Sequence, residues 1–234
     1  MTKNSTHTFP EDVRSFIKKH QDIVQIAIEF IEQYPELKPV ANQMIRSYMM
    51  MVDCFDNGGR LFLCGNGGSF ADCLHISGEM LKSYERKRGL NSEDKKKFKT
   101  IPFGDQLSRA LEYGLPVIVL GLNHSLKSAV ENDIFLPNIG YAQELFALGE
   151  ENDVLLGIST SGMAMNVAYA VSVAKVKGMR TIGLTGEEGG QLAPMVDVAI
   201  KAPGKVTKRI QENHQIIYHT VCSLVETHYF QEKK

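Results

Sequence analysis

The chain has little net charge and no apolar run of membrane-spanning length, and these two shortages exclude the most. With 26 Lys+Arg against 27 Asp+Glu, a formal net charge of -1 provides no broad surface for nucleic acid. A bilayer span needs about 20 apolar residues, and no run here reaches that length, so no membrane partner is expected. The N-terminus, MTKNSTHTFPED, lacks the apolar core of a signal peptide. Cysteine is scarce as well. Cys54, Cys64, Cys73 and Cys222 form no CxxC pair and lie in or beside apolar patterns, which reads as buried free thiols in a reducing, cytoplasmic setting. Two nucleotide signatures are also missing. No Gly-Lys-Ser/Thr marks a P-loop, and in the dinucleotide fingerprint Gly65 and Gly67 are present but Phe70 stands where the third glycine belongs.

What is there is enough chain, at 234 residues, for one large domain or a domain with an extension. Residues 1–57 read as helices with no strand signal. One helix carries Val13, Phe16, Ile17, Ile23, Ile26, Ala27, Phe30 and Ile31 up to about Tyr34, and Pro35 and Pro39 break the pattern. A second carries Val40, Met44, Ile45, Tyr48, Met49, Val52 and Phe55 and stops at Asn57-Gly58-Gly59. Both are apolar over more than a narrow stripe, which predicts burial against a partner as well as their own domain.

From residue 58 onward the pattern alternates. Continuous apolar runs near 61–64, 116–120, 154–158, 181–184 and 196–200 predict strands covered on both faces, as in a parallel sheet. Helical stretches lie between them near 126–133, 141–148 and 166–177. The expected fold is α/β: a doubly wound parallel sheet flanked by helices, a flavodoxin-like three-layer sandwich over 58–234, preceded by the helical extension 1–57. A basic insertion interrupts it at about 84–113. Within 82–99 (KSYERKRGLNSEDKKKFK), eight basic and three acidic residues leave an excess of +5. This fits either a solvated excursion or a lid that attracts an anionic substrate.

Two strand ends carry chemistry. Residues 60–79 (RLFLCGNGGSFADCLHISGE) read as strand, glycine-rich turn and helix. Ser69 sits where an N-cap belongs, so the helix start beside it is a site for phosphate. His75 and Glu79, four apart, face the same way. The bland alternative is a plain connection with a surface His and Glu. The second strand end is Ser159-Thr160-Ser161-Gly162, whose hydroxyls and amides can surround a phosphate without lysine or metal. Ligands in such sheets bind at the carboxyl ends of the strands. On the last helical pattern, His219 lies among Ile216, Ile217 and Val221 and by these neighbours alone reads as a core or interface histidine; Gln211 and His214 could cap neighbouring carbonyls; His124 and His228 carry no motif and read as surface residues.

Taken in order, the CGNGGS loop, the His75-x-x-x-Glu79 helix, DVLLGISTSG at 153–162, LTGEEGG at 184–190 and RIQENHQIIYH at 209–219 resemble bacterial phosphoheptose isomerases of the sugar isomerase (SIS) class. The likeness spans about residues 40–230, interrupted at the basic segment. It implies a SIS-domain homotetramer, packed through the N-terminal helices, that isomerises sedoheptulose 7-phosphate to D-glycero-D-manno-heptose 7-phosphate through an enediol. By matching position, Glu79 and His219 would be the catalytic acid/base pair. Ser69, Ser159, Thr160 and Ser161 would hold the phosphate, and Asn66, Gly67, Gly68 and Gln211 would line the sugar site. Some members bind zinc through residues matching His75, Glu79, Gln211 and His219; no nucleotide cofactor is implied. The chain departs from the pattern at Met163 and Ala164, where Asn and Ser are usual, and at Asn123 and Lys208, where aspartates are expected. These departures leave the acid/base pair but alter the substrate wall. The class also contains a non-catalytic tetramer that associates with the replication initiator DnaA, and a phosphosugar sensor is a further alternative; retention of Gly68, Glu79 and His219 favours an enzyme.

Overall fold

The computed structural model describes residues 9–18 and 21–230. Its centre is a five-stranded sheet of order β2-β1-β3-β4-β5, in which every pairing is parallel. The strands are β1 (Leu61–Gly65), β2 (Val117–Val119), β3 (Val154–Ser159), β4 (Arg180–Gly186) and β5 (Val198–Ala202). Alternate residues of β1 and β3 enter different cores. Leu61, Leu63, Leu156, Ile158, Ile182 and Leu184 face one layer, while Phe62, Cys64 and Leu155 face the other. That two-sided burial is why the strands read as unbroken apolar runs rather than alternating ones.

The first layer holds α1 (Glu11–Ile17), α2 (Gln21–Gln33), α3 (Ala41–Asp56), α4 (Gly68–Leu81) and the long α10 (Thr207–Tyr229). The second holds α8 (Gly140–Leu148) and α9 (Met165–Val176), with α7 (His124–Asp133) against α8. This is the doubly wound, three-layer arrangement expected. Val13, Ile17, Ile23 and Ala27 are fully buried in the same core as the sheet; each of the three larger side chains contributes about 1.5–3 kcal/mol on leaving water.

The single helix expected up to Tyr34 is instead two, α1 and α2. The apolar series changes phase between Ile17 and Ile23: six residues advance the helix by about 240° beyond a full turn, so one straight helix could not turn both residues to the core. Asn57-Gly58-Gly59 ends α3 as expected, its three N–H groups donating to the carbonyls of Asp53, Cys54 and Phe55. All four cysteines are free and buried. The start of β1 is tied to β3 by Arg60, whose N–H donates to the buried Asp153 carboxylate at 2.7 Å and whose guanidinium meets it at 2.9 Å.

The basic segment is a helical excursion. It forms α5 (Ser92–Lys97) and α6 (Gly104–Ala110) and closes with an antiparallel bridge between Gly89 and Glu112. Lys95, Lys96, Lys97 and Lys99 are exposed, whereas Arg88 at its base is buried.

Candidate functional site

In the strand order 2-1-3-4-5 the chain leaves β1 for one edge and returns across it to β3, which creates a crevice at the carboxyl ends of β1 and β3. The register pairs Gly65 with Ile158, so the glycine loop and the Ser159-Thr160-Ser161 loop leave the sheet side by side. The glycine loop also touches the start of α9: the side-chain amides of Asn66 and Asn166 exchange hydrogen bonds of 2.8 Å in both directions. Tyr141 donates its hydroxyl to the carbonyl of Gly65. Neither Asn166 nor Tyr141 stands out in the sequence; Asn166 follows the hydroxyl loop by one helical turn, the only local hint of its place.

Helix α4 begins two residues earlier than expected. Its N-cap is Gly67, at φ 54 and ψ -120, a left-handed backbone that a residue with a Cβ takes up only under strain. Ser69 is therefore inside the first turn, buried, with its N–H donating to the carbonyl of Asn66 at 3.0 Å. The correction has a physical cause: the hydroxyl signalled a cap, but the glycine's positive φ had already turned the chain. The positive end of the helix thus lies at Gly67 and Gly68, both exposed.

Four turns of α4 carry His75 and Glu79 to the same side, with His75 Nε2 3.0 Å from Glu79 Oε1. From behind, the Tyr218 hydroxyl lies 3.0 Å from His75 Nδ1 and 3.4 Å from the Asp72 carboxylate. His219 on α10 completes the cluster, its ring centroid 4.8 Å from that of His75. Donor atoms of His75, Glu79 and His219 all lie within 4.8 Å of one another. Burial, with His75 alongside, holds the His219 imidazole below its ordinary pKa. This favours the neutral ring, able to take up or hand on a proton at neutral pH. Its accessible side opens on a cavity of about 250 Å³ between α2, Tyr84 and α10.

Gln211 lies two turns up α10, its carboxamide packed against Gly68. Thr160, Ser161 and Thr207 line a separate cavity of about 460 Å³ together with Glu187, Glu188 and Lys205. Ser159 is buried at the strand end, while Ser161 is exposed and its Oγ accepts from the Met163 N–H at 3.2 Å. Met163 is exposed beside it, and Asn123 caps α7 by accepting from the Leu126 N–H at 3.0 Å. Lys208 is exposed in the first turn of α10.

The three remaining histidines of the described chain have other surroundings. His214 is fully buried and bonds the Thr185 carbonyl at 3.0 Å, a capping role among those expected. His124 is exposed. His228 is not a surface residue: it is half-buried, 2.9 Å from the Tyr48 hydroxyl, because the last turns of α10 pack against α3 rather than solvent.

Comparison with known proteins places this geometry in a family. A family model described as SIS domain matches residues 125–186. The chain is 35% identical over 224 residues to the phosphoheptose isomerase of Geotalea daltonii, which covers 96% of this chain and 99% of the relative. It is 37% identical over 182 residues to that of a Roseiflexus species, covering 78% and 80%. Among solved structures, a phosphoheptose isomerase from Francisella tularensis superposes with a TM-score of 0.66 at 28% identity, over 93% of this chain and 100% of that one. One from Neisseria gonorrhoeae gives 0.64 at 29%, over 90% and 99%. These relatives favour an enzyme over the initiator-associating or sensor alternatives. Similarity over nearly the full length of both sequences, on a shared fold, establishes that the chain belongs to the phosphoheptose isomerase family.

Proposed function

We propose that the protein interconverts a ketose and an aldose phosphate, sedoheptulose 7-phosphate and D-glycero-D-manno-heptose 7-phosphate, by proton transfer between C1 and C2. The observation that carries this is the meeting of Glu79 and His219, far apart in sequence, within one donor cluster, with Glu79 on the helix that starts at the glycine loop. In this reading the Glu79 carboxylate takes the proton from one carbon, leaving an enediol, and returns it to the other. His219 serves the neighbouring oxygen and ring opening, giving up and regaining one proton over the cycle. The Ser159-Thr160-Ser161 loop and Ser69 hold the phosphate, while Asn66, Gly67, Gly68 and Gln211 hold the sugar. Met163 and Ala164 then shape the wall nearest the phosphate, and sugars of other length are the first competitors to compare.

The donor set also suits zinc. Two imidazoles and a carboxylate are customary ligands for it, and Tyr218 behind His75 Nδ1 leaves Nε2 to the front, as outer-shell partners of metal-bound histidines do. His75, Glu79 and His219 would hold the ion, with Gln211 the candidate fourth ligand by family position. When bound, it would polarise the substrate carbonyl. Assembly as a homotetramer through the helices of 1–57, and residence in the cytoplasm, complete the proposal. Support for the former comes from Phe16, Val24, Ile26 and Ile31, which flank the core without full burial.

The test is turnover of sedoheptulose 7-phosphate followed by NMR of the sugar, comparing the protein with His219→Ala, with and without added zinc. Conversion that disappears in the variant supports the reading. Conversion that persists removes His219 from it, and no conversion by either protein removes this sugar.

A further inference from the structure

The turn that follows α4 is held by a buried ion pair that touches both helices carrying the acid/base residues. Glu226 lies two turns beyond His219 on α10, hence on the same face, and is fully buried. Its carboxylate accepts from the N–H groups of Tyr84 (2.9 Å), Glu85 (2.8 Å) and Arg86 (3.1 Å) and from Nε of Arg88 (2.7 Å). Arg88, 2% exposed, turns its other nitrogens to α4. Nη1 donates to the Met80 carbonyl at 2.7 Å and Nη2 to the Glu79 carbonyl at 2.9 Å, two of the acceptors a helix end leaves without intrahelical partners. The guanidinium also lies over the Phe230 ring, 4.7 Å from its centroid. One cation thus joins the backbone of Glu79 to the helix of His219. The same turn lays the Tyr84 ring along His219, with centroids 6.0 Å apart and planes at 30°.

Anchoring a surface excursion does not require this. Ser83 and Glu112 already close its neck through bonds of 2.6 and 2.9 Å, whereas stripping water from two charges costs several kcal/mol per ion unless every donor is matched. Here all the donors that converge on Glu226 are matched, and they converge on the two helices that the reaction must hold in register. We infer that Arg88 and Glu226 form a clip that sets the separation of Glu79 and His219, and that Tyr84, carried on the clipped turn, is a positioning residue for the His219 ring. This rests on the reading of Glu79 and His219 as the acid/base pair. The exposed lysines farther along the segment take no part in the clip.

The experiment compares Tyr84→Leu, Tyr84→Phe and Glu226→Gln in the full chain, with turnover measured both after chelator and with added zinc. The readouts are kcat and KM measured separately, and, in chelator-treated protein at a pH where the imidazole is neutral, the NOE contacts of the His219 ring protons with His75 and Tyr218. A misplaced ring costs about 10- to 100-fold, so Tyr84→Leu should lower kcat by at least ~10-fold with KM within about twofold, and Tyr84→Phe should recover most of the loss. In Tyr84→Leu the His219 ring should lose its fixed placement against His75 and Tyr218, whose centroids lie 4.8 Å away, so that the NOE contacts from its ring protons to theirs weaken; in Tyr84→Phe they should survive. Glu226→Gln, which keeps one acceptor oxygen, should lower kcat without altering the binding of inorganic phosphate. Unchanged kcat in Glu226→Gln overturns the clip, and unchanged NOE contacts from the His219 ring to His75 and Tyr218 in Tyr84→Leu overturn the positioning role. A rise in KM alone overturns it too, by making Tyr84 a sugar contact. If the unmodified protein turns over no sugar with or without zinc, the isomerase reading fails by itself, and the His219 ring contacts still decide whether Tyr84 positions the ring.

Discussion

Gly68→Ala separates stability from activity at one atom. Gly68 opens α4 with its α carbon against the end of Gln211: a methyl group there would stand 3.0 Å from Cδ and 3.3 Å from Oε1, with Nε2 nearer still. Ordinary contact is 3.4–4 Å, so the carboxamide must withdraw by about 1 Å. The backbone has no such difficulty, since Gly68 is not among the positive-φ glycines. Alanine should therefore stabilise the helix by about 0.4–1 kcal/mol through the unfolded chain, about 1–4 °C in melting temperature for this length. The sugar loses a hydrogen-bonding group from its place. One neutral hydrogen bond is worth about 0.5–1.5 kcal/mol, and a 1 Å displacement can cost about 100-fold, so kcat/KM should fall by about 10- to 100-fold. The assay is sugar-phosphate turnover by NMR beside a thermal melt of the same preparation. A variant that melts no lower than the parent and keeps kcat/KM within about twofold would refute the reasoning, because Gln211 would then have moved without consequence.

Glu79→Gln preserves the size of the side chain and its contact with His75 but removes the base; turnover should fall by about 10²- to 10⁴-fold while phosphosugar binding, followed by calorimetry, stays near the parent value. Near-normal turnover would dismiss Glu79 as the proton carrier. Ser161→Ala should weaken substrate and inorganic phosphate alike, by about 10-fold for one bond to a charged group; equal affinities would take that hydroxyl out of the site. His214 supplies a pH prediction. Burial pushes its pKa from 6.5 down to about 4, and its Nδ1 has no partner, so the folded protein holds it neutral. As pH falls from 6.5 toward 4 the unfolded chain binds a proton that the folded one does not, and stability is lost over that window, by about 3 kcal/mol below pH 4. His214→Gln should flatten that part of the stability curve measured by denaturant titration between pH 7 and 4, and an unchanged slope would assign the acid sensitivity elsewhere.

The parallel sheet and the two loops at its strand ends were legible from the residues alone, because these signals are local. Leu61 to Cys64 and Val154 to Ile158 are apolar on both faces, and glycines or hydroxyls directly follow them. Local signals also misled where two competed within a few residues. Ser69 offered a cap, but the left-handed turn at Gly67 started the helix first; Ile17 and Ile23 looked like one stripe until their phase was counted. What only the tertiary structure decided is the company each residue keeps across the chain. His219 among isoleucines reads by its neighbours as core until α10 is seen to lie against α4, which brings its ring to His75 and Glu79. Arg88 in a run of surface cations gives no sign of its burial, and Glu226 gives no sign that it accepts four bonds from the other end of the fold. The physical reason is one of range: turn chemistry and periodicity act over a few residues, whereas the register of α4 against α10 is set by which apolar faces the sheet buries together.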